Sequence, residues 1–194
     1  MARSKEFDPD VALREALELF WERGYEATSM ADLVARLGVA RASIYGTFGG
    51  KRELYLKALE LYVADRNVVE PLAQPGPALP AIRTFLESYV AECLADELRR
   101  GCMVVNTAVE FGMRDAAVAR KVAESWAGLE AVLAGALVRA RAQGEIPAGK
   151  DPYALARFLL VLLQGVRVLG RADPDPRRLR DAVDQAMKTI EIQE

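Results

Sequence analysis

The feature that most constrains this chain is the run from Thr28 to Phe48, which reads as two short helices around a tight turn. Ser29 is a good N-cap, and Asp32 stands three residues later, close to a capping box. Met30, Leu33, Val34 and Leu37 fall at i, i+3, i+4 and i+7, one face of a helix. Gly38 supplies the stop. A second periodic segment starts after only Val39 or Ala40. Helix, short turn with glycine, helix is the helix-turn-helix pattern.

The second helix has an unusual outer face. Ala40, Ile44 and Phe48, spaced by four, can pack inward, which leaves Arg41, Ala42, Ser43, Tyr45, Gly46 and Thr47 outside. Gly46 inside a helix costs about 1 kcal/mol relative to alanine. A surface that gives up helix propensity to stay slim suits a major groove, into which one α-helix fits. Taken alone, the segment also allows a plain core helix with a solvated face. The flanks favour the groove reading. Pro9 to Arg23 is an amphipathic helix capped by Asp8, with Leu13, Ala16, Leu17, Phe20 and Trp21 as its apolar stripe and Gly24 as its end. Lys51 opens a long helix predicted to run to about Val69.

This order, with Leu19-Phe20, Gly24-Tyr25, Thr28-Ser29, Leu33-Val34, Leu37-Gly38-Val39, Ile44-Tyr45, Phe48, Lys51 and Glu53-Leu54, resembles the TetR family of bacterial transcriptional regulators over roughly residues 7–60. Gly46 and Thr47 depart from the bulky residues the family usually carries there. The resemblance implies an all-α fold of about nine helices: a three-helix reading domain over 1–50 and a helical ligand-binding and dimerisation domain over 51–194. It implies a homodimer through the last two helices, with Leu179, Val183 and Met187 between subunits. The implied function is a repressor on double-stranded, pseudo-palindromic operator DNA, released when a small organic effector shifts the fourth helix. Arg41, Ser43 and Thr47 are expected at base edges and Ala42 near a thymine methyl. Ser29, Tyr45 and Lys51 match the family's phosphate-contacting positions. A helix-turn-helix kept only for protein contacts is the other class to test.

Composition narrows the alternatives. The chain has 194 residues, 52% apolar, and no histidine, which removes the commonest general base and metal ligand. Its two cysteines, Cys93 and Cys102, have no metal spacing. No phosphate loop, nucleophile elbow or dinucleotide turn is present, so no enzyme, cofactor or metal is expected. No signal peptide precedes the first helix, and the longest apolar run, Phe158 to Leu163, is far short of the ~20 residues of a membrane span, so a cytoplasmic protein is expected. The net charge of −2 hides an uneven distribution. Arg36, Arg41, Lys51, Arg52 and Lys57 suggest a basic groove-facing edge, joined by Arg3 and Lys5. Glu15, Glu18, Glu22 and Glu26 collect on the first helix.

Beyond the prolines between Pro71 and Pro80, helices are predicted from near Ala81, from Met103 to Phe111, from Asp115 to about Gln143, from Pro152 to Leu169 and from Asp175-Pro176 onward. Pro152 to Leu169 is apolar almost all round and demands cover on more than one side. Tyr89, Cys93, Phe111, Trp126 and Phe158 are expected to converge around an effector, with Thr107, Glu110, Gln164 and Arg167 as its polar groups. Such a pocket suits a flat or acyl-chain molecule with a polar end. Cys102 follows Arg99, Arg100 and Gly101 and directly precedes a helix, a setting that favours thiolate. Some TetR-like electrophile sensors look similar at Gly101-Cys102, so a thiol-based sensor is the alternative on the same scaffold.

Overall fold

The computed structural model describes residues 7–66 and 70–191, which excludes Arg3, Lys5 and the expected end of the fourth helix near Val69. Among the described residues there are ten helices and no strand. They are α1 (Pro9–Arg23), α2 (Met30–Leu37), α3 (Arg41–Phe48), α4 (Lys51–Asp65), α5 (Glu70–Ala73), α6 (Ala78–Ala95), α7 (Met103–Phe111), α8 (Ala116–Ala142), α9 (Pro152–Ala172) and α10 (Pro176–Ile190). The short α5, inside the proline-rich stretch, is the one the sequence pattern does not signal.

The starts are local chemistry. The Asp8 carboxylate accepts from the N–H groups of Asp10 and Val11, and Pro9 needs no partner in the first turn. Ser29 and Asp32 form a full capping box on α2, and Gly38 closes that helix in the left-handed conformation, φ 65°. Asp151 and Asp175 cap α9 and α10 in the same way, each followed by proline.

Two compact units result, and they do not follow chain order. The first joins the residues up to Arg66 to Asn106–Lys121, so it includes most of α7 and the first turn of α8. α1 packs on α4 and α2, and α3 packs on α2 and α4. Its centre is Phe20, Leu33, Ile44, Leu54, Tyr55 and Leu59, all fully buried. Each such side chain contributes about 1.5–3 kcal/mol by leaving water.

The second unit holds α5, α6, α9, α10 and the rest of α8. Ile82, Phe85 and Leu86 from α6 meet Leu133 and Leu137 from α8, Leu159 and Leu163 from α9, and Leu179, Val183 and Met187 from α10. The last three were expected between subunits; they are instead core residues of the protomer, because α10 turns its whole apolar face inward. Arg83 ties α6 to α10 through Asp184 at 3.0 Å and Glu191 at 3.3 Å. α6 and α9 approach closely at Gly170, where an added Cβ would lie 2.6 Å from the Cβ of Cys93. α9 alone among the described helices is long and apolar enough to cross a membrane, yet Ala156, Leu159, Leu163 and Val166 are spent in this core.

Candidate nucleic-acid interface

α3 presents the face its sequence suggests. Ile44 and Phe48 are buried, Ser43 is half-buried, and Arg41, Ala42, Tyr45, Gly46 and Thr47 are exposed. No side chain caps α3 or α4, and an uncapped first turn is where an anion can be held. Lys51 is the first residue of α4.

The charges sort differently from the expected basic edge. Arg36 is bound to Glu15 at 2.6 Å. Arg52 grips Asp115 through Nε at 2.7 Å and Nη2 at 3.0 Å. That bidentate bond, then the N–H groups of Val118 and Ala117, hold the Asp115 carboxyl down at about 2. Both arginines are therefore neutralised within the fold, because carboxylates distant in sequence reach them. Arg41, Lys51 and Lys57 have no carboxylate partner among the described residues. Each lies over an aromatic ring instead: Arg41 at 5.9 Å from the Tyr45 ring, Lys51 at 4.1 Å from Tyr25, and Lys57 at 5.9 Å from Phe48. These contacts seat the cations without cancelling their charge.

Ser29 is the N-cap of α2. Its hydroxyl donates to Asp32 at 2.5 Å, and its backbone N–H goes to the same carboxylate at 2.8 Å. Those bonds, hydroxyl first, pull the Asp32 carboxyl below its ordinary value. Both donors of Ser29 meet this carboxylate in the free protein.

The expected effector residues divide between the units. Thr107, Glu110 and Phe111 share one face of α7 but are engaged in the first unit. Thr107 is hydrogen-bonded to the Tyr55 hydroxyl at 2.7 Å, and Glu110 accepts from the N–H groups of Tyr25 and Glu26. Phe111 packs on Tyr25 and Tyr55, centroids 4.9 and 5.3 Å away.

In the second unit Tyr89, Cys93 and Arg167 do come together. Arg167 is 5% exposed, its guanidinium lies 4.1 Å from the Tyr89 ring centroid, and Nη2 donates to Glu92 at 2.6 Å. Nη1 lies 3.9 Å from the Cys93 sulfur, and Nε is buried with no hydrogen-bond partner. Burial opposes the charge of Arg167, but Cys102, Glu92 and Cys93 raise its pKa above the ordinary guanidinium value. Burial pushes the Cys93 thiol up, against the pull of Arg167. Trp126 is half-buried on α8 with its Nε1 unpartnered, Phe158 is exposed on α9, and Gln164 donates to the Leu160 carbonyl at 3.2 Å. Cys102 is half-buried just before α7. A groove of ≈ 270 Å³ between α6 and α10 is lined by Glu87, Val90, Ala91, Leu94, Arg180, Val183 and Asp184, none of them an expected effector residue.

Known proteins are similar to this chain in sequence and fold. Residues 12–58 match the family model of bacterial regulatory proteins, tetR family, and residues 78–189 match the tetracyclin repressor-like C-terminal domain. The chain belongs to the TetR family and is a helix-turn-helix DNA-binding transcriptional regulator, not an enzyme. It is 36% identical to the uncharacterized HTH-type transcriptional regulator YezE of Bacillus subtilis, over 98% of this chain and all of that one. It is 33% identical to the HTH-type transcriptional repressor ComR of Escherichia coli, over 87% of this chain and 82% of that protein. Among solved structures it superposes with TM-score 0.85 and 28% identity on a cysteine mutant of the TetR family regulator CifR in complex with a 26-bp double-strand operator, covering 97% of this chain and all of that one.

Proposed function

We propose that this protein is a homodimeric, cytoplasmic repressor that reads a pseudo-palindromic double-stranded operator with α3 and leaves it when a small organic molecule binds the second unit. The observation that carries the DNA reading is the set of three carboxylate-free cations, Arg41, Lys51 and Lys57, on the exposed edge of α3 and α4. Arg41, Ser43, Thr47 and Ala42 face bases in this reading, and Tyr45 and Lys51 hold phosphates. Residues 1–50 then form the reading head, and residues 51–194 serve effector binding and dimerisation. Arg41→Ala should cost about 1–3 kcal/mol of operator affinity and relax preference at one base pair. Unchanged discrimination in a gel-shift titration would remove α3 from the groove.

The dimer reading rests on α9. Phe158, Val161 and Val168 are exposed along one face with Gly165, and Tyr153 and Leu169 flank them. An apolar strip of this kind on a protomer marks an interaction face, and a second copy would cover it in a four-helix contact with α10.

Arg167 carries the effector reading. Glu92 already balances its charge, so the remaining Nε donor suits the neutral oxygen of a carbonyl or hydroxyl better than a second carboxylate. A second reading, a thiol sensor, is favoured by the half-buried position of Cys102 directly before α7. N-ethylmaleimide that releases DNA from the wild type but not from Cys102→Ser selects it. Unchanged DNA binding with Cys102 fully modified rejects it.

A further inference from the structure

α1 ends at Gly24 and α2 is capped by Ser29, so the corner 24–28 sets how the helix-turn-helix leaves α1. The corner makes few bonds of its own: the Thr28 hydroxyl donates to the Gly24 carbonyl at 2.6 Å, and the Thr28 N–H reaches the Tyr25 carbonyl at 3.2 Å. The N–H groups of Tyr25 and Glu26 are taken by a side chain far away in sequence. The Glu110 carboxylate accepts the first at 3.0 Å through Oε2 and the second at 2.7 Å through Oε1. The approach is tight enough that a Cβ on Gly24, which has φ 84°, would lie 3.0 Å from Oε2. What the fork holds is not idle backbone. The Tyr25 ring is the seat of Lys51, whose ammonium lies 4.1 Å from its centroid.

We infer that Glu110 is a positioning residue for operator binding: its forked carboxylate fixes the Tyr25 backbone, the Tyr25 ring fixes Lys51, and Lys51 is thereby aimed at a phosphate. This rests on the proposed phosphate contact of Lys51. It runs against simple electrostatics. Glu110 is an acid in a unit that binds a polyanion, so deleting its charge alone should tighten DNA binding. Positioning demands the opposite sign.

The test uses the full-length protein and operator DNA titrated at several salt concentrations. Glu110→Gln removes the charge and turns a donor toward one of the two N–H groups. Glu110→Asp keeps the charge but shortens the reach by one methylene. Both should weaken operator binding roughly tenfold and lower the magnitude of the log–log salt slope by about 0.9 per subunit, the share of one phosphate contact. Lys51→Ala should lower the slope by the same amount, and adding either Glu110 change to it should cost little more. Amide exchange at Tyr25 and Glu26 should quicken in both Glu110 variants while α1 and α4 stay protected. Should Glu110→Gln not fold, Glu110→Asp carries the test alone. Tighter binding by Glu110→Gln, wild-type binding by Glu110→Asp, or full additivity with Lys51→Ala overturns the inference while leaving the Lys51 contact standing. An unchanged slope in Lys51→Ala removes that contact and the inference together.

Discussion

Removing one oxygen from Tyr55 should produce a stability difference that changes sign with pH. Tyr55 sits in the middle of the first unit, 2% exposed, with its hydroxyl bonded to Thr107 at 2.7 Å and its ring against Phe20, Tyr25 and Phe111. Tyr55→Phe keeps the rings and deletes the bond, a loss of about 1 kcal/mol at neutral pH. Burial first, and Glu110 second, push the phenol up to about 12, with the Thr107 bond pulling the other way. The unfolded value is about 10. Between those values the unfolded chain has released a proton that the folded chain still holds, so stability falls as pH rises. The stabilisation is complete below pH ~10 and lost on passing pH ~12. At pH 11 the linkage term has removed about 1.4 kcal/mol, and at pH 12 about 2.3 kcal/mol. Phenylalanine does not titrate, so the variant keeps what the wild type loses. The variant should be the less stable protein at pH 8, equal to the wild type near pH 11, and the more stable at pH 12. Urea denaturation at fixed protein concentration, followed by far-UV circular dichroism, measures the difference. The other tyrosines and the lysines are common to both proteins and cancel. A difference that stays constant from pH 8 to pH 12 would refute the assignment of a raised phenol to Tyr55.

Val161→Asp and Val183→Asp should separate assembly from folding. Val161 is 72% exposed on α9, so the first change should leave the helical signal intact and give monomers by light scattering; Val183 is in the protomer core, and a carboxylate there should cost several kcal/mol and lose the signal itself. Asp115→Asn should destabilise the protein above pH ~4 and match the wild type by pH ~2, because a carboxyl held below its unfolded value contributes above that value and is lost as pH falls through the folded one. Acid titration of the two proteins side by side reads the convergence. Gly170→Ala should lower stability by about 1–3 kcal/mol by forcing α6 away from α9 at Cys93, with a lowered thermal midpoint as the measure.

What the sequence makes legible is what short range decides. Asp8-Pro9, Ser29 with Asp32, and Gly38 act within four residues, and the helices start and stop where those groups require. The period-four spacing of Ile44 and Phe48 puts both inside, and the outer face of α3 follows by exclusion. Charge pairing is the opposite case. Arg36 finds Glu15 on a neighbouring helix, and Arg52 finds Asp115 from beyond three further helices of chain, so a basic edge counted along the sequence loses two of its members on folding. α7 shows the same limit at the level of a face. Thr107, Glu110 and Phe111 do point one way, as their spacing indicates, but spacing cannot say toward what. For α10 the apolar stripe is correct and its partner is α6 and α9 of the same chain.

That pairing also resolves how an acidic chain can bind a polyanion. Across the reading unit Arg14 meets Asp65, Arg23 meets Asp32, Arg36 meets Glu15 and Arg52 meets Asp115. Each pair cancels a carboxylate that would otherwise repel phosphate. The cations left over on α3 and α4, Arg41, Lys51 and Lys57, are held by aromatic rings, which supply attraction without a compensating charge. At physiological ionic strength fields fade over about 8 Å. A phosphate at the α3–α4 edge therefore responds to Lys51, Lys57 and Arg41 rather than to the sum over the molecule. At low salt that screening lengthens to about 30 Å at 0.01 M, and more distant acids come into range. Operator affinity should then rise less on dilution below ~0.03 M salt than the line through higher salt extrapolates, a curvature that a uniformly basic DNA-binding domain would not show.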